Sequence, residues 1–455
     1  MPYPDHFIDT LSATAARAAN YLEQTGERRV TPAQEALDRL PSLGGTLPDA
    51  PATSDEILAL LDEIAAPATV TSAGGRYFGF VVGGTLPGAL VASWLTSTWD
   101  QNCGFRVMSP ATAQMESIAL EWVIDCLGLP AGSQGGLVTG CTMANVSAIA
   151  AARCTLLERL GWDVVSKGLY GAPEIKVVVG DEVHASVLKA LSLIGFGRDR
   201  VVRVPVDGQG RMRSAALPTL NEATLLCIQA GNVNTGAFDP AEEICPIARD
   251  AGAWVHVDGA FGLWAHASPR YRHLVRGFER ADSWATDAHK WPNVGYDSGL
   301  VIVKNPEHLW AAMNVTAAYF PQEACREPCQ FTPEFSRRAR GVELWAALRS
   351  LGRQGLADLI ERTCRHAKRF AESLADAGYR ILNDVVINQV LVSFGSAERT
   401  RAVIKQVQEG GTCWCGETTW QGNVAMRISV SSWATTDDDV EISLAAMKRA
   451  ANAVY

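Results

Sequence analysis

The chain has no long basic cluster, no apolar run near the roughly 20 residues of a membrane span, no internal repeat and no low-complexity tract. Its 455 residues carry a formal charge of −9, which argues against nucleic acid or an anionic membrane surface as the main partner. The opening Met1-Pro2-Tyr3-Pro4-Asp5-His6 lacks a basic stretch followed by an apolar one, so no secretory leader is expected. The eleven cysteines are odd in number and scattered. Cys413-Trp414-Cys415 and the pair Cys325 and Cys329 approach metal spacing, but no second Cys/His pair completes either set. No metal site is expected, and reduced thiols in a cytoplasmic protein are the expectation instead.

What the chain does contain is an ordinary globular composition, 47% hydrophobic and 20% charged, at a length that calls for two or three domains. Residues 1–65 read as a helical arm broken by Pro32, Pro41, Pro48 and Pro51, with Thr53 or Ser54 capping a helix. Residues 66–335 alternate. Short β-rich runs at 175–179, 225–228, 254–257 and 300–303 are separated by helical stretches such as 145–160. Near-continuous apolar strands spaced by helices predict an α/β fold with a mostly parallel central sheet and helices on both faces. Residues 336–455 open with a long helix through Val342, Leu344, Trp345 and Leu348 and continue as a small α+β domain. Its last helix starts near Asp437-Asp438-Asp439, acids suited to a helix N-terminal dipole.

One pair of residues points to chemistry. Lys290 follows His289 directly and lies 32 residues beyond Asp258, which ends the apolar run Val255-His256-Val257. A lysine can form a Schiff base with the aldehyde of pyridoxal 5'-phosphate (PLP). A buried carboxylate keeps the pyridine nitrogen protonated, so that the ring acts as an electron sink. Gly140-Cys141-Thr142 joins a short strand to a helix start, where backbone N–H groups and the Thr142 hydroxyl suit a phosphate dianion. His184 follows the strand ending at Gly180, at the end of the sheet where ligands bind, and its imidazole can stack on the pyridine ring. Asn232 sits in the loop 231–236 after another strand and is expected to reach the ring oxygen or the substrate. His289 is a candidate phosphate contact, and small Ala260 lets the sheet approach the ring face.

Together these residues resemble the group II PLP-dependent amino-acid decarboxylases, the family of aromatic-amino-acid and glutamate decarboxylases. The similarity spans nearly the whole chain. It includes Arg76-Tyr77-Phe78-Gly79-Phe80, Ser109-Pro110, Asp181 to Ser186, His256 to Ala260, Ala288-His289-Lys290-Trp291, Ser336-Arg337-Arg338 and Met426 to Val430. The resemblance implies a fold-type I PLP architecture and a homodimer with shared active sites. It implies decarboxylation of an L-amino acid to its amine and CO2, with aminotransferase, aldol-type lyase and aldehyde synthase chemistry as alternatives on the same constellation. It makes Lys290 the Schiff-base lysine, Asp258 the partner of the ring nitrogen and His184 the stacking group, with Tyr77, Phe78, Gln101 and Asn102 lining the substrate pocket. The polar Asp100-Gln101-Asn102 resembles the glutamate branch slightly better. In the family a mobile loop carries a tyrosine that protonates the substrate carbon. Here that loop, residues 314–333, is short, Pro328 stands at the tyrosine's place, and Tyr319 is offset from it.

Overall fold

A computed structural model describes residues 6–315 and 326–454, so Tyr319 and half of the short loop lie outside the described residues. The chain divides into two compact units. The larger holds Gly83–Lys368 and Asn383–Gln389; the smaller holds the residues up to Val82, Arg369–Leu382 and the segment from Val390 onward.

Seven strands build the sheet of the larger unit. They are β1 (Gln134–Val138), β2 (Lys176–Gly180), β3 (Val202–Val204), β4 (Thr224–Gln229), β5 (Trp254–Asp258), β6 (Ser283–Asp287) and β7 (Gly299–Val303). Their order is β1-β7-β6-β5-β4-β2-β3. The pairs β2/β3, β2/β4, β4/β5 and β5/β6 are parallel, whereas β7 runs antiparallel to both β6 and β1. Both faces are covered, as the apolar runs predict. Val177, Val179, Leu225, Cys227 and Trp254 pack with Ile149, Leu156, Val187 and Leu191 from the helices Cys141–Arg159 and Ala185–Leu193. The alternate residues Val178, Leu226, Ile228 and Val257 are just as fully buried on the opposite face.

β7 reverses direction beside the loop that feeds the helix Cys141–Arg159, and Gly299 makes this possible. A Cβ there would stand 2.4 Å from the Gly140 Cα. Only glycine allows so close an approach. The long helix after Ser336 runs from Gly341 to Asp376 and breaks at Gly352, whose φ of 60° lies in the left-handed region.

The smaller unit is built around a sheet of β8 (Arg380–Ile381), β9 (Gln389–Ser393), β10 (Gly416–Trp420) and β11 (Asn423–Ser429), in the order β10-β11-β9-β8. The N-terminal residues belong to it through backbone bonds. Phe78 N donates to Trp414 O at 2.8 Å, Trp414 N to Arg76 O at 3.1 Å, and Ser429 N to Phe78 O at 3.0 Å. The expected helix starts are present. Thr53 with Glu56, and Thr436 with Asp439, each form a reciprocal capping box.

Candidate active site

The larger unit gathers its chemistry at the carboxyl ends of β5 and β6. Asp258 and Asp287 end these adjacent strands, and Lys290 sits three residues beyond Asp287. The backbone there is pinned. Trp264 Nε1 donates to Asp287 O at 2.9 Å, and Ala288 N donates to Ser298 O at 2.9 Å. Lys290 O accepts from the Asn293 side chain at 2.8 Å, and Trp291 Nε1 donates to Thr363 Oγ1 at 2.9 Å. Gly83 packs on this loop so closely that a Cβ would lie 2.0 Å from Lys290 O.

Lys290 Nζ lies 3.0 Å from Asp287 Oδ2 and 5.9 Å from the centre of the Phe261 ring. Burial alone pulls the ammonium down. The carboxylates of Asp287 and Asp258 outweigh it and hold the group above the ordinary lysine value. Asp287 Oδ1 accepts from Cys141 N at 2.6 Å, so its carboxylate caps the helix Cys141–Arg159. The Cys141 thiol lies 3.4 Å from Asp258 Oδ1, which also accepts from Ala260 N at 3.3 Å. Burial, reinforced by the two neighbouring carboxylates, pushes that thiol well above its usual range, so it stays protonated. His289 is buried, stands 3.5 Å from Asp287 Oδ2 and stacks on Tyr296 at 4.4 Å between ring centres. Burial lowers its basicity.

The structure therefore joins Lys290, His289, Asp258, Cys141 and Ala260 in one cluster, with half-buried Thr142 next along the helix. His184 is exposed beyond β2 and caps the helix Ala185–Leu193, its Nδ1 accepting from Ser186 N at 3.2 Å. Three expected site residues are engaged elsewhere. Asn232 Oδ1 accepts from Asn234 N and Thr235 N, and its amide reaches Gln229, so the side chain shapes its own turn. Gln101 donates to Trp99 O and accepts from the Ser109 hydroxyl. Asn102 accepts from Arg337 N. The polarity of 101–102 thus serves the chain's own structure and gives no sign of an acidic substrate. Tyr77 and Phe78 belong to the smaller unit. There Tyr77 stacks on Trp414 at 5.2 Å, and Phe78 is buried edge-on against Phe370 at 5.0 Å.

Two participants were not anticipated. Asp287 had a usable signal, an acid ending a strand three residues before the lysine. Tyr296 carried none, because its place beside His289 depends on how the loop after Lys290 closes. Among the described residues no group of three His, Cys, Asp or Glu side chains is arranged to hold a metal ion, and no helix is long and apolar enough to cross a membrane.

The donor set suits PLP. It offers an amine for the aldehyde, a buried carboxylate for the pyridine nitrogen and a helix N-terminus for the phosphate. At the entrance to that helix, a Cβ on Gly140 would make ordinary contact with the His289 ring at 3.4 Å and with Asp287 Oδ1 at 3.6 Å. A lysine held beside strand-end carboxylates in a mostly parallel α/β sheet defines a PLP-dependent enzyme. Residues 38–395 match the pyridoxal-dependent decarboxylase conserved domain, and the chain belongs to that family as a PLP-dependent carboxy-lyase of amino acids.

The chain is 27% identical over 465 residues to the aromatic-L-amino-acid decarboxylase of Drosophila melanogaster, covering 95% of this chain and 89% of that one. It is 30% identical over 377 residues to the enzyme of the same name from Drosophila lebanonensis, covering 76% and 91%. Among solved structures, Oryza sativa TDC with PLP and tryptamine superposes with a TM-score of 0.91 at 21% identity, covering 100% and 99%. Mouse CSAD gives 0.89 at 20%, covering 98% and 99%. At those identities the structural likeness concerns the fold.

Proposed function

We propose that this chain decarboxylates an aromatic L-amino acid to the corresponding amine and CO2, with Lys290, Asp258 and His184 as the catalytic residues. The substrate class is supported by the names of its curated relatives. The residue roles are carried by one observation, the contact of Lys290 with Asp287 in a cluster continuous with Asp258 through Cys141.

Bound PLP supplies the sink for the electron pair left when the carboxylate departs. The chain's residues do the rest. Lys290 would hold the cofactor through Nζ and would be the amine available to displace the product. Buried Asp258 would face the ring nitrogen and favour its protonated form, which makes the ring the better electron sink. The helix start at Cys141 and Thr142 would receive the phosphate, with the Cys141 amide itself donating to Asp287 Oδ1. His184 presents its imidazole from the end of β2, and Ala260 leaves room over the ring.

We further propose a homodimer. Val91, Trp94 and Leu95 lie exposed on one face of the helix Pro87–Trp99, with Trp99, Val107 and Met108 exposed nearby, an apolar patch that a second subunit would cover. A cytoplasmic location fits the ten described cysteines, all of them thiols.

The test is a panel of L-amino acids with amine, CO2, aldehyde and hydrogen peroxide measured together. Equal amine and CO2 from aromatic substrates is the expected result; aldehyde with peroxide would replace it with oxidative chemistry. Lys290→Ala must lose both turnover and the visible absorbance of covalently held cofactor. Multiple turnover in that variant would refute the assignment of the lysine.

A further inference from the structure

A second polar system, whose buried members have no part in the steps above, runs from β5 and β6 to His184. Trp254 Nε1 donates to Ser283 Oγ at 2.9 Å. Ser283 Oγ is 2.9 Å from His256 Nδ1, and His256 Nε2 is 2.9 Å from Asn145 Oδ1. Asn145 Nδ2 donates to Ser186 Oγ at 3.2 Å, and Ser186 Oγ is 2.7 Å from His184 Nδ1. Trp254, Ser283, His256 and Asn145 are all fully buried; only the last link reaches the surface.

The direction of the bonds is set at the His184 end, where Nδ1 accepts from a backbone N–H, and the Trp254 end is compatible with it. An indole N–H only donates, so Ser283 Oγ accepts there and its own hydrogen is left available for His256 Nδ1. His256 then carries its proton on Nε2, which fixes Asn145 Oδ1 as the acceptor and turns the amide nitrogen toward Ser186. Ser186 Oγ accepts from it and donates to His184 Nδ1. At the far end the backbone N–H of Ser186 also donates to His184 Nδ1, at 3.2 Å. Both ends agree. Nδ1 of His184 is an acceptor twice over, and its proton resides on Nε2.

We propose that Ser186, Asn145 and His256 are positioning residues that lock His184 in the Nε2–H form, so that it presents a hydrogen-bond donor to an anionic oxygen of the cofactor or of the substrate carboxylate. This rests on the reading of His184 as a site residue. A buried histidine needs only two partners to be satisfied. A chain of aligned donors that ends on the one exposed imidazole beyond β2 does more, because each link polarises the next and sets the ring's plane as well as its tautomer. Asn145 also lies one turn along the helix from Cys141, on the same face, so the chain and the cofactor cluster share one rigid support.

The test is 15N-histidine NMR of the holoenzyme, with the tautomer read from two-bond proton–nitrogen couplings. In the native protein His184 and His256 both show the Nε2–H pattern. Ser186→Ala, at an accessible helix start, removes one of the two donors to His184 Nδ1 and lowers the Nε2–H to Nδ1–H ratio roughly tenfold. Asn145→Asp keeps the shape and the acceptor for His256 but cannot donate, and it shifts His184 although both neighbouring residues are intact. An Nδ1–H pattern in the native protein, or a ratio unchanged in both variants, overturns the proposal. His184→Ala separates the underlying reading. If its cofactor absorbance, circular dichroism and KM match the native enzyme, His184 is not a site residue, and the positioning role falls even where the tautomer data hold.

Discussion

Arg337 offers the most demanding check on how this fold is held. Its guanidinium and the Glu116 carboxylate are both 0% exposed. Arg337 Nη1 donates to both carboxylate oxygens, at 3.0 and 2.8 Å, and also to Cys103 O at 3.1 Å, while Nη2 donates to Leu137 O at 2.7 Å. The side chain thus ties the helix Pro110–Cys126, the end of β1 and the segment around Cys103 together. Burying two charges is expensive, and their mutual attraction roughly returns the cost, so the pair's net worth is small while the penalty for breaking it is large. Arg337→Met strands a carboxylate in a dry site and should cost about 3–5 kcal/mol. Glu116→Leu strands a guanidinium and should cost a similar amount. The double variant strands no charge. It leaves the Cys103 and Leu137 carbonyls short of a donor, at about 1–3 kcal/mol each, and the weakly donating Cys103 thiol short of its acceptor. At central values the singles sum to about 8 kcal/mol and the double costs about 4, so the double should fall about 4 kcal/mol below additivity. The assay is denaturant unfolding of the holoenzyme at fixed protein and cofactor concentration, compared through the midpoint and slope. Additive costs would show that the two side chains contribute as separate packing groups and that the ion pair is not what makes each single change severe.

Three further outcomes follow from the site. Asp287→Asn removes the charge that keeps Lys290 protonated, so the apoenzyme should take up PLP at a lower pH than the native chain does; an unchanged pH profile of uptake would break the link between the two side chains. His256 is pushed down to about 4 by burial, so its neutral form stabilises the fold above the ordinary histidine value near 6.5, and that contribution is lost as pH falls toward 4, at about 3 kcal/mol in all. Buried Asp239, raised to about 6, works in the opposite sense over an overlapping window, so the quantity to measure is native minus His256→Gln, and a difference that stays flat from pH 7 to pH 4 would be the contrary result. Gly83→Ala places a methyl against the Lys290 carbonyl and should lower cofactor affinity, measured by equilibrium dialysis, by an order of magnitude or more; native affinity would mean that the two loops part freely.

The sequence exposed what neighbours along the chain decide. Near-continuous apolar runs marked the buried strands, Thr53 and the acids at 437–439 marked two helix starts, and Asp258 and Lys290 drew notice because ligands bind at strand ends of such sheets; the structure brings both residues to the ends of adjacent strands. What stayed hidden is set by contacts between distant segments. Asn102 carries the right chemistry for a pocket, yet its side chain accepts from Arg337 N, far away in sequence, whereas Asn232 and Gln101 bond to near neighbours, Thr235 and Ser109. Phe78 is placed by backbone pairing with Trp414, far away in sequence. Asp287 marks the boundary between the two cases. Its spacing from Lys290 is local, but its hold on Cys141 N arises only once β7 turns back beside Gly140, an approach that Gly299 permits. The same residue that contacts the lysine therefore also caps the helix proposed to receive the phosphate, and changing it should disturb covalent capture and phosphate affinity together, whereas changing Asp258 should act on the ring and, through its charge, on Lys290, and leave the bond from Cys141 N to Asp287 in place.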